Sequence, residues 1–239
     1  TNYSFIKILT GSDLSVRKLP LMEVKGVKKG PVIWLIGCIH GDEVGGMVVI
    51  QEIFQMLRKQ SLLTGSLHAF PLLNPIGFEN LTRHISLSQE DLNRAFPGKE
   101  NGSVAERLAY KVSNIIKKTN PDLVLDLHND WNKSIPYALL DPNPGQDKKE
   151  VFEKVKHFAN LTRFPVVEEI LLEDNYSWTN TISGSFMNIG IPAITLELGE
   201  SWVVNEENVK YGIASIWNIL TYLGMVEKNI NTKSYHLDQ

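Results

Sequence analysis

The chain has 239 residues, of which 43% are apolar and 21% are charged, and this composition predicts a globular protein with one large core. A formal net charge of −3 excludes the strong positive field of a nucleic-acid-binding surface, and no stretch reaches the roughly 18 apolar residues of a membrane span. A single cysteine, Cys38, excludes a disulfide framework within the chain, and its apolar neighbours predict a core residue.

The apolar pattern along the chain predicts strands that alternate with helices. Residues 32–36 are apolar on both faces, which is typical of a central strand covered on two sides. Strands are predicted over 32–36, 66–73, 122–127, 165–170 and 193–198, and helices over 44–59, 103–118, 148–161, 183–189 and 205–223. Residues 76–102 are predicted to form a long loop. We therefore expect one α/β domain over residues 1–239, with a mixed, largely parallel sheet flanked by helices.

Unusual chemistry follows three of the predicted strands. The sequences are GCIHGDE at 37–43, DLHND at 126–130 and TLELGE at 195–200. In open α/β sheets, functional sites form beyond the carboxyl ends of the strands. We therefore expect the polar side chains of these three segments to converge.

His40, Glu43 and His128 are candidate metal ligands. His40 and Glu43 lie three residues apart at a strand-to-helix turn, and His128 follows a second strand. Two His and one Glu are a common ligand set of catalytic zinc, which keeps a further position for water. The His-x-x-Glu spacing alone is weak evidence, since polar turn residues give the same pattern. The second strand-end histidine strengthens the metal hypothesis.

Two carboxylates on the predicted strands are further candidates. Asp126 points to the same side of its strand as His128, where it could support a ligating histidine or serve a structural hydrogen bond. Glu197 lies in an otherwise apolar strand, where a carboxylate is costly unless it is paired or faces a polar site. In a zinc hydrolase its role would be that of general base. Glu200, just past the strand, is interpreted as a surface residue.

The long loop carries Arg83 and then the sequence DLNR at 91–94. Arginine suits the bidentate binding of a carboxylate, although for either arginine taken alone an ordinary surface position is the better interpretation. The remaining histidines have no comparable setting and are interpreted as surface or core residues; they are His68, His84, His157 and His236.

Five motifs together resemble a known family, the succinylglutamate desuccinylases and aspartoacylases, which are related to the zinc carboxypeptidases. The motifs are GCIHGDEVGG at 37–46, NPIGFENLTR at 74–83, DLNRAFPG at 91–98, DLHN at 126–129 and GIPAITLELG at 190–199. They follow the family's order and span about residues 30–225. The resemblance implies a zinc carboxypeptidase-like (phosphorylase/hydrolase-like) fold and zinc-dependent hydrolysis of an amide.

The resemblance also implies a role for individual residues. His40, Glu43 and His128 match the ligands of one Zn²⁺ per chain, and Glu197 matches the carboxylate that activates water. Arg83 matches the arginine that steadies the carbonyl oxygen of the scissile amide.

Asn93 and Arg94 match the pair that binds a substrate carboxylate. The implied substrate is therefore a small molecule with a free carboxylate, in the first place an N-acyl amino acid. Two alternatives stay open: a carboxypeptidase that acts on short peptides, and a binding protein that retains zinc and a carboxylate ligand without turnover.

The sequence departs from the family pattern in two respects. Aspartoacylases carry a further C-terminal β-domain, which we do not expect in this chain. Their acyl-side specificity residues have no clear match, and Arg163, Tyr176 and Trp178 are possible substitutes. We expect a cytoplasmic enzyme without a nucleic-acid or membrane partner, and we allow for a homo-oligomer.

Overall fold

An eight-stranded sheet forms the centre of the part of the chain that the computed structural model describes, residues 1–10, 15–131, 133–143, 145–170 and 178–227. The strands are β1 (Asn2–Thr10), β2 (Val16–Lys25), β3 (Lys28–Gly37), β4 (Thr64–Phe70), β5 (Leu123–Asp130), β6 (Pro136–Leu140), β7 (Val166–Glu168) and β8 (Ala193–Glu200). Their order across the sheet is β1-β2-β4-β3-β5-β8-β6-β7. The four central strands, β4, β3, β5 and β8, are mutually parallel. β1, β2 and β6 each pair antiparallel with a neighbour, and β7 pairs parallel with β6.

Helices cover both faces of this sheet. They are α1 (Gly45–Lys59), α2 (Pro75–Glu79), α3 (Val104–Lys118), α4 (Lys149–Thr162), α5 (Ile182–Asn188) and α6 (Glu206–Tyr222). The predicted fold class, an α/β domain with a mixed and largely parallel sheet between helices, is confirmed. No helix within the described residues is long and apolar enough to cross a membrane.

Alternate residues of β3 build two separate cores. Ile33 and Leu35 pack with α1, α4 and α6 on one face, whereas Trp34 and Ile36 pack with α3 and α5 on the other. Successive residues of a strand point to opposite faces, so a strand that is apolar throughout must be covered on both sides. This is the pattern that predicted the central strand.

The predicted helix starts agree with the observed caps. The Ser103 hydroxyl accepts a hydrogen bond from the Glu106 backbone N–H at 3.2 Å, and the Glu106 carboxylate accepts one from the Ser103 N–H at 2.9 Å. The Asn205 side chain likewise accepts from the first turn of α6. Both helices therefore begin where a side chain satisfies backbone donors that have no partner within the helix.

Three strands and one short helix were not predicted. β1, β2 and β6 are antiparallel, and β1 is a largely exposed edge strand, so their polar and apolar residues mix. β6 has only five residues and begins at Pro136. The predicted loop 76–102 contains part of α2 and a 3₁₀ turn, Leu92–Arg94. The strand predicted over 165–170 is shorter, because β7 has three residues.

The sheet register positions the functional residues. In β5 and β8, His128 pairs with Glu197, and in β3 and β5, Ile36 pairs with Asp126. The carboxyl ends of the three strands therefore lie side by side at one edge of the sheet. This is the location that was predicted for the site.

Candidate metal centre

The side chains of His40, Glu43 and His128 converge at the ends of β3 and β5. The Nδ1 atom of His40 lies 2.7 Å from Glu43 Oε1, and the Nδ1 atom of His128 lies 2.8 Å from Glu43 Oε2. One candidate ligand atom from each residue lies within 4.8 Å of the others. All three residues are buried. This group could hold a metal ion.

A second carboxylate lies behind each histidine. His40 Nε2 is 3.1 Å from Asp91 Oδ1, and His128 Nε2 is 2.8 Å from Asp126 Oδ2. A carboxylate on one ring nitrogen holds the proton there, so that the lone pair of the other nitrogen is free for a metal. Both histidines therefore present Nδ1 to the same point. This chemistry fits a divalent cation.

Ionisation in the cluster is consistent with a cation site. Burial opposes the charged form of Glu43, but the adjacent histidines hold the pKa of this carboxyl well below its usual range. Burial likewise disfavours a charged His128, but Asp126 and Glu43 raise its pKa well above the usual value. The buried carboxylates are thus stable only beside positive charge, which protonated histidines or a metal ion can supply.

Gly41 allows the long loop to approach this centre. A Cβ atom on Gly41 would lie 2.0 Å from the carbonyl carbon of Gly77, so a larger residue would displace the segment that begins at Asn74. The Gly41 N–H donates to the Thr82 carbonyl at 3.0 Å. This contact brings the neighbouring Arg83 into the site.

Arg83 is held between two carboxylates. Its Nε and one terminal nitrogen donate to Asp91 Oδ2 at 3.2 and 3.1 Å, and its other terminal nitrogen donates to Glu43 Oε1 at 3.3 Å. Asp91 therefore orients both His40 and Arg83. In the sequence, Asp91 is distinguished only as part of the DLNR motif. The signal that could have identified it is its position as an acidic residue in the same loop as the two candidate arginines.

Glu197 lines the same cavity from β8. Its Oε2 atom is shielded from solvent and has no hydrogen-bond partner among the described residues. Burial raises the pKa of Glu197 to about 7, with further contributions from Glu43 and Asp130 and an opposing one from His128. A carboxylate with a pKa near neutrality can both accept and return a proton.

The other strand-end carboxylates are engaged elsewhere. Asp130 accepts hydrogen bonds from the Tyr137 hydroxyl and from the backbone N–H of Trp131, and Glu200 accepts from Asn205. Asp130 and Glu200, the other carboxylates at these strand ends, thus already have hydrogen-bond donors.

Asn93 and Arg94 line the cavity as well. The Asn93 Oδ1 atom accepts from the Ile182 N–H at 2.9 Å, and its Nδ2 lies 3.4 Å from His128 Nε2. Arg94 donates to the Asn93 carbonyl at 2.8 Å. The predicted pair therefore lies together beside the metal centre. The cavity has a volume of about 160 Å³, which is room for a small ligand.

Asn129, the last residue of the DLHN motif, connects several elements of the site. Its backbone N–H donates to Glu43 Oε2 at 3.1 Å, and its side-chain oxygen accepts from Gly45 at 2.9 Å. Its amide nitrogen donates to carbonyls at the end of β8, including that of Glu200. One side chain thus links β5, β8 and the start of α1.

Cys38 and His68 lie outside the group of candidate catalytic residues. Cys38 is buried, and burial, with Glu43 and Asp42, raises the pKa of its thiol to about 12, as suits a core residue. His68 stacks on Trp34 away from the cavity.

Two of the possible acyl-side substitutes lie within the described residues, and neither lines the cavity. Arg163 and Trp178 are absent from the described lining of the cavity. Tyr176 and His236 lie outside the described residues. No acyl-side specificity residue is therefore assigned from this group.

Comparison with known proteins identifies the family. The model of the succinylglutamate desuccinylase/aspartoacylase catalytic domain matches residues 29–223, which is most of the chain, and the chain belongs to this family. The resemblance inferred from the five motifs is thereby confirmed.

The individual relatives are more distant. A curated N-alpha-acetyl-L-2,4-diaminobutyric acid deacetylase of Halomonas elongata is 26% identical over 235 residues, which cover 94% of this chain but 65% of the relative. The chain thus spans slightly less than two thirds of that protein.

Two solved structures show the same fold. A succinylglutamate desuccinylase/aspartoacylase from Rhodobacter sphaeroides has a TM-score of 0.79 at 24% identity, covering 96% of this chain and 67% of its own. A metallo-carboxypeptidase from Burkholderia cenocepacia has a TM-score of 0.67 at 17% identity, and the match covers 93% of this chain and 65% of the carboxypeptidase. The predicted carboxypeptidase-like fold is confirmed.

The environment of Glu197 predicts a pH-dependent stability. Because the folded pKa of about 7 exceeds the ordinary value of 4.5, ionisation destabilises the folded state progressively as the pH rises between these values. Glu197→Gln, which cannot ionise, should therefore stabilise the metal-free protein by about 1–3 kcal/mol at pH 8 and much less at pH 4.5. Urea unfolding after chelation at both pH values measures this. Glu153→Gln, at an exposed position of α4, is the control, and equal effects of the two substitutions would contradict the prediction.

Proposed function

We propose that this chain is a zinc-dependent deacylase that hydrolyses the amide bond of an N-acyl amino acid. The observation that carries the proposal is the convergence of His40, Glu43 and His128 on a cavity that Glu197 and Arg94 also line. Membership of the family and the similarity to a deacetylase support the same reaction class.

His40, Glu43 and His128 would hold the zinc ion. Two imidazole nitrogens and a carboxylate are a ligand set of catalytic zinc, and carboxylates behind the histidines are its usual support. When bound, zinc supplies positive charge that lowers the pKa of water toward about 7 and polarises a carbonyl group.

Glu197 is the proposed general base and acid. Its shielded Oε2 atom takes a proton from the attacking water as the new carbon–oxygen bond forms. The same carboxyl then gives this proton to the amide nitrogen as the carbon–nitrogen bond breaks. A pKa near 7 suits both transfers, because neither protonation state is strongly favoured at neutral pH.

Arg83 is proposed to stabilise the carbonyl oxygen while it gains negative charge. Asp91 holds two nitrogens of the guanidinium, and the third is directed toward the centre at Glu43. A donor fixed before the reaction needs no reorganisation during it, and losing one such donor costs about 2.7–4 kcal/mol of activation free energy.

Arg94 is proposed to bind the substrate carboxylate. An arginine can donate two parallel hydrogen bonds to a carboxylate, which fixes both affinity and orientation. Asn93 supports Arg94. The side-chain oxygen of Asn93 accepts a hydrogen bond from the first residue of α5, and its backbone carbonyl accepts one from Arg94. The small volume of the cavity favours an amino acid derivative over a long peptide.

A carboxypeptidase that acts on short peptides is the second candidate, and the shared fold with a metallo-carboxypeptidase favours it. A non-catalytic zinc- and carboxylate-binding protein is less well supported, because Glu197, Arg83 and Arg94 all line one cavity. A binding protein has no need for a shielded carboxylate without a hydrogen-bond partner.

Turnover and metal content together test the proposed reaction. With one equivalent of zinc, the protein should hydrolyse N-acetyl amino acids faster than the matching dipeptides, and chelation should abolish the activity. Glu197→Gln should retain zinc but lose about 10²–10⁴-fold in kcat, since it removes the base and leaves the ligands in place. Metal analysis beside steady-state kinetics provides the measurement.

His128→Ala is the matched variant, because it should lose zinc as well as activity. Faster cleavage of dipeptides would favour the carboxypeptidase, and zinc binding without any hydrolysis would favour the binding protein. Near-normal turnover in Glu197→Gln would assign the base to another residue.

Carboxylate recognition is tested by comparing two arginines. Because Arg94 is exposed in the free protein, Arg94→Ala should lower kcat/KM for an N-acetyl amino acid by roughly 10- to 150-fold, the cost of losing hydrogen bonds to a charged group. The same substitution should have a much smaller effect on the corresponding N-acetyl amino acid amide, in which an uncharged amide replaces the carboxylate. Arg83→Ala should impair both substrates, because its proposed partner is the oxyanion that they share. The readout is the preference for carboxylate over amide, and an unchanged preference in Arg94→Ala would exclude Arg94 as the carboxylate site.

A further inference from the structure

We propose that Asp141 and Glu169 select a substrate whose amino acid half carries a second, positively charged amino group. This inference rests on the proposed deacylase function and refines it to N-acyl derivatives of diamino acids. It places the substrate carboxylate on Arg94 and the side-chain ammonium on the adjacent pair of carboxylates, Asp141 and Glu169, which we call the acidic wall.

The charge of the cavity favours such a substrate. Among the described residues, its lining contains two arginines, Arg83 and Arg94, but six acidic side chains. The acidic residues are Asp42, Glu43, Asp130, Asp141, Glu169 and Glu197. When all six carboxyl groups are ionised, a divalent ion and two guanidinium groups do not balance them, and a substrate carboxylate adds a further negative charge. A second charge on the substrate, of positive sign, reduces this repulsion.

The sheet places the two proposed carboxylates side by side. β6 and β7 are parallel, and Leu140 pairs with Glu168 at their carboxyl ends. Asp141 and Glu169 each follow directly, and the Glu169 N–H donates to the Leu140 carbonyl at 2.9 Å. The backbone that carries the acidic wall is therefore hydrogen-bonded between β6 and β7, which holds the two carboxylates in a fixed position.

Arg94 lies at the same end of the cavity. Its charge lowers the pKa of both Asp141 and Glu169 against the larger, opposite effect of burial. A carboxylate bound to Arg94 and an ammonium bound to the acidic wall would thus be neighbours, as they are in a single amino acid with a short side chain.

The surroundings of Asp141 are polar. Ser183 hydrogen-bonds Asp141, and the Thr195 hydroxyl donates to Ser183 at 3.2 Å. Among the described residues, Leu139 and Trp131 are the apolar side chains in a lining that is otherwise polar or charged. An aliphatic substrate side chain would find few apolar contacts here, whereas an ammonium needs the oxygen acceptors that are present.

Two observations indicate that the cavity lacks positive partners. Asp141 is only 8% exposed, and burial raises its pKa to about 7 despite Arg94 and Ser183. Asp42, 6% exposed, also lines the cavity, and its Oδ1 atom has no hydrogen-bond partner among the described residues. An ammonium group bound at Asp141 would add the positive charge that this buried carboxyl needs to ionise.

A pair of substrates that differ only in charge tests the proposal. N-α-acetyl-L-2,4-diaminobutyrate and N-acetyl-L-norvaline have side chains of the same shape, ending in ammonium and methyl respectively. The zinc-loaded protein should prefer the ammonium substrate by at least about tenfold in kcat/KM, the typical effect of a hydrogen bond to a charged group. Asp141→Asn and Glu169→Gln should each remove most of this preference and change the norvaline rate by less than about threefold.

The less buried Glu169→Gln keeps the test valid if Asp141→Asn does not fold, and Glu153→Gln is the control. No preference in the unmodified protein would overturn the proposal. An equal loss for both substrates in the variants would also overturn it, because it would make the two carboxylates structural counter-ions of Arg94.

Binding separates this inference from the proposed function. Calorimetric titration of the zinc-loaded protein with L-2,4-diaminobutyrate and L-norvaline measures the same selectivity without turnover. If no amide is cleaved but the diamino acid binds more tightly, and less so in Glu169→Gln, the proposed function fails and the selectivity stands. If amides are cleaved and neither assay shows a preference, the selectivity fails alone.

Discussion

The Glu43 carboxylate, held between two histidine nitrogens, is the interaction on which the rest of the site depends. Each of its oxygens faces one Nδ1 atom, at 2.7 and 2.8 Å, and the residue is almost completely buried. A buried carboxylate is costly unless cations or donors surround it. Much of the local structure supplies them: the Asn129 N–H, Arg83 and the histidines all contact Glu43.

This arrangement explains why the surrounding elements meet where they do. Asp91 and Asp126 hold the outer nitrogens of the two histidines, and Asp91 also holds Arg83. The long loop is therefore fixed to the sheet by polar contacts that converge on the candidate metal centre. Replacing two imidazolium protons by a single divalent ion would preserve these contacts, since the same nitrogen atoms face the same carboxylate.

The cavity beyond the centre divides into regions with different chemistry. Glu197, Arg83, Arg94, Asp141 and Glu169 all line this cavity. In the proposed reaction Glu197 serves the reacting bond and Arg83 the developing charge, while Arg94 and the Asp141–Glu169 pair bind the two charged groups of the substrate. The proposed zwitterionic substrate follows from the balance between these groups. A site of this kind gains selectivity from charge as well as from shape, because a ligand with the wrong charge leaves buried carboxylates unpaired.

The sequence predicted the central fold because the residues of the parallel strands are apolar on both faces. Residues 32–36 illustrate this, as Ile33 and Trp34 enter two different cores. β1, β2 and β6 escaped prediction because partly exposed antiparallel strands mix polar and apolar residues. Their positions in the sheet depend on partners that are distant in the chain.

The candidate metal ligands could be found from their strand-end positions, which the register of β3, β5 and β8 brings together. Asp91 and Asn129 could not be assigned in this way. Asp91 contacts His40, 51 positions away, and Asn129 contacts Gly45, 84 positions away. Such long-range contacts leave no local pattern. Asp141 and Glu169 are further examples, since only the pairing of β6 with β7 makes them neighbours.

The central claim, that two imidazoles and a carboxylate hold zinc, is tested most directly by zinc K-edge X-ray absorption on the protein reconstituted with one equivalent of the metal. The account predicts two imidazole nitrogens at about 2.0–2.1 Å, with oxygen ligands at about 2.0–2.2 Å and no sulfur. Fewer than two imidazoles, or a sulfur ligand at about 2.3 Å, would contradict it.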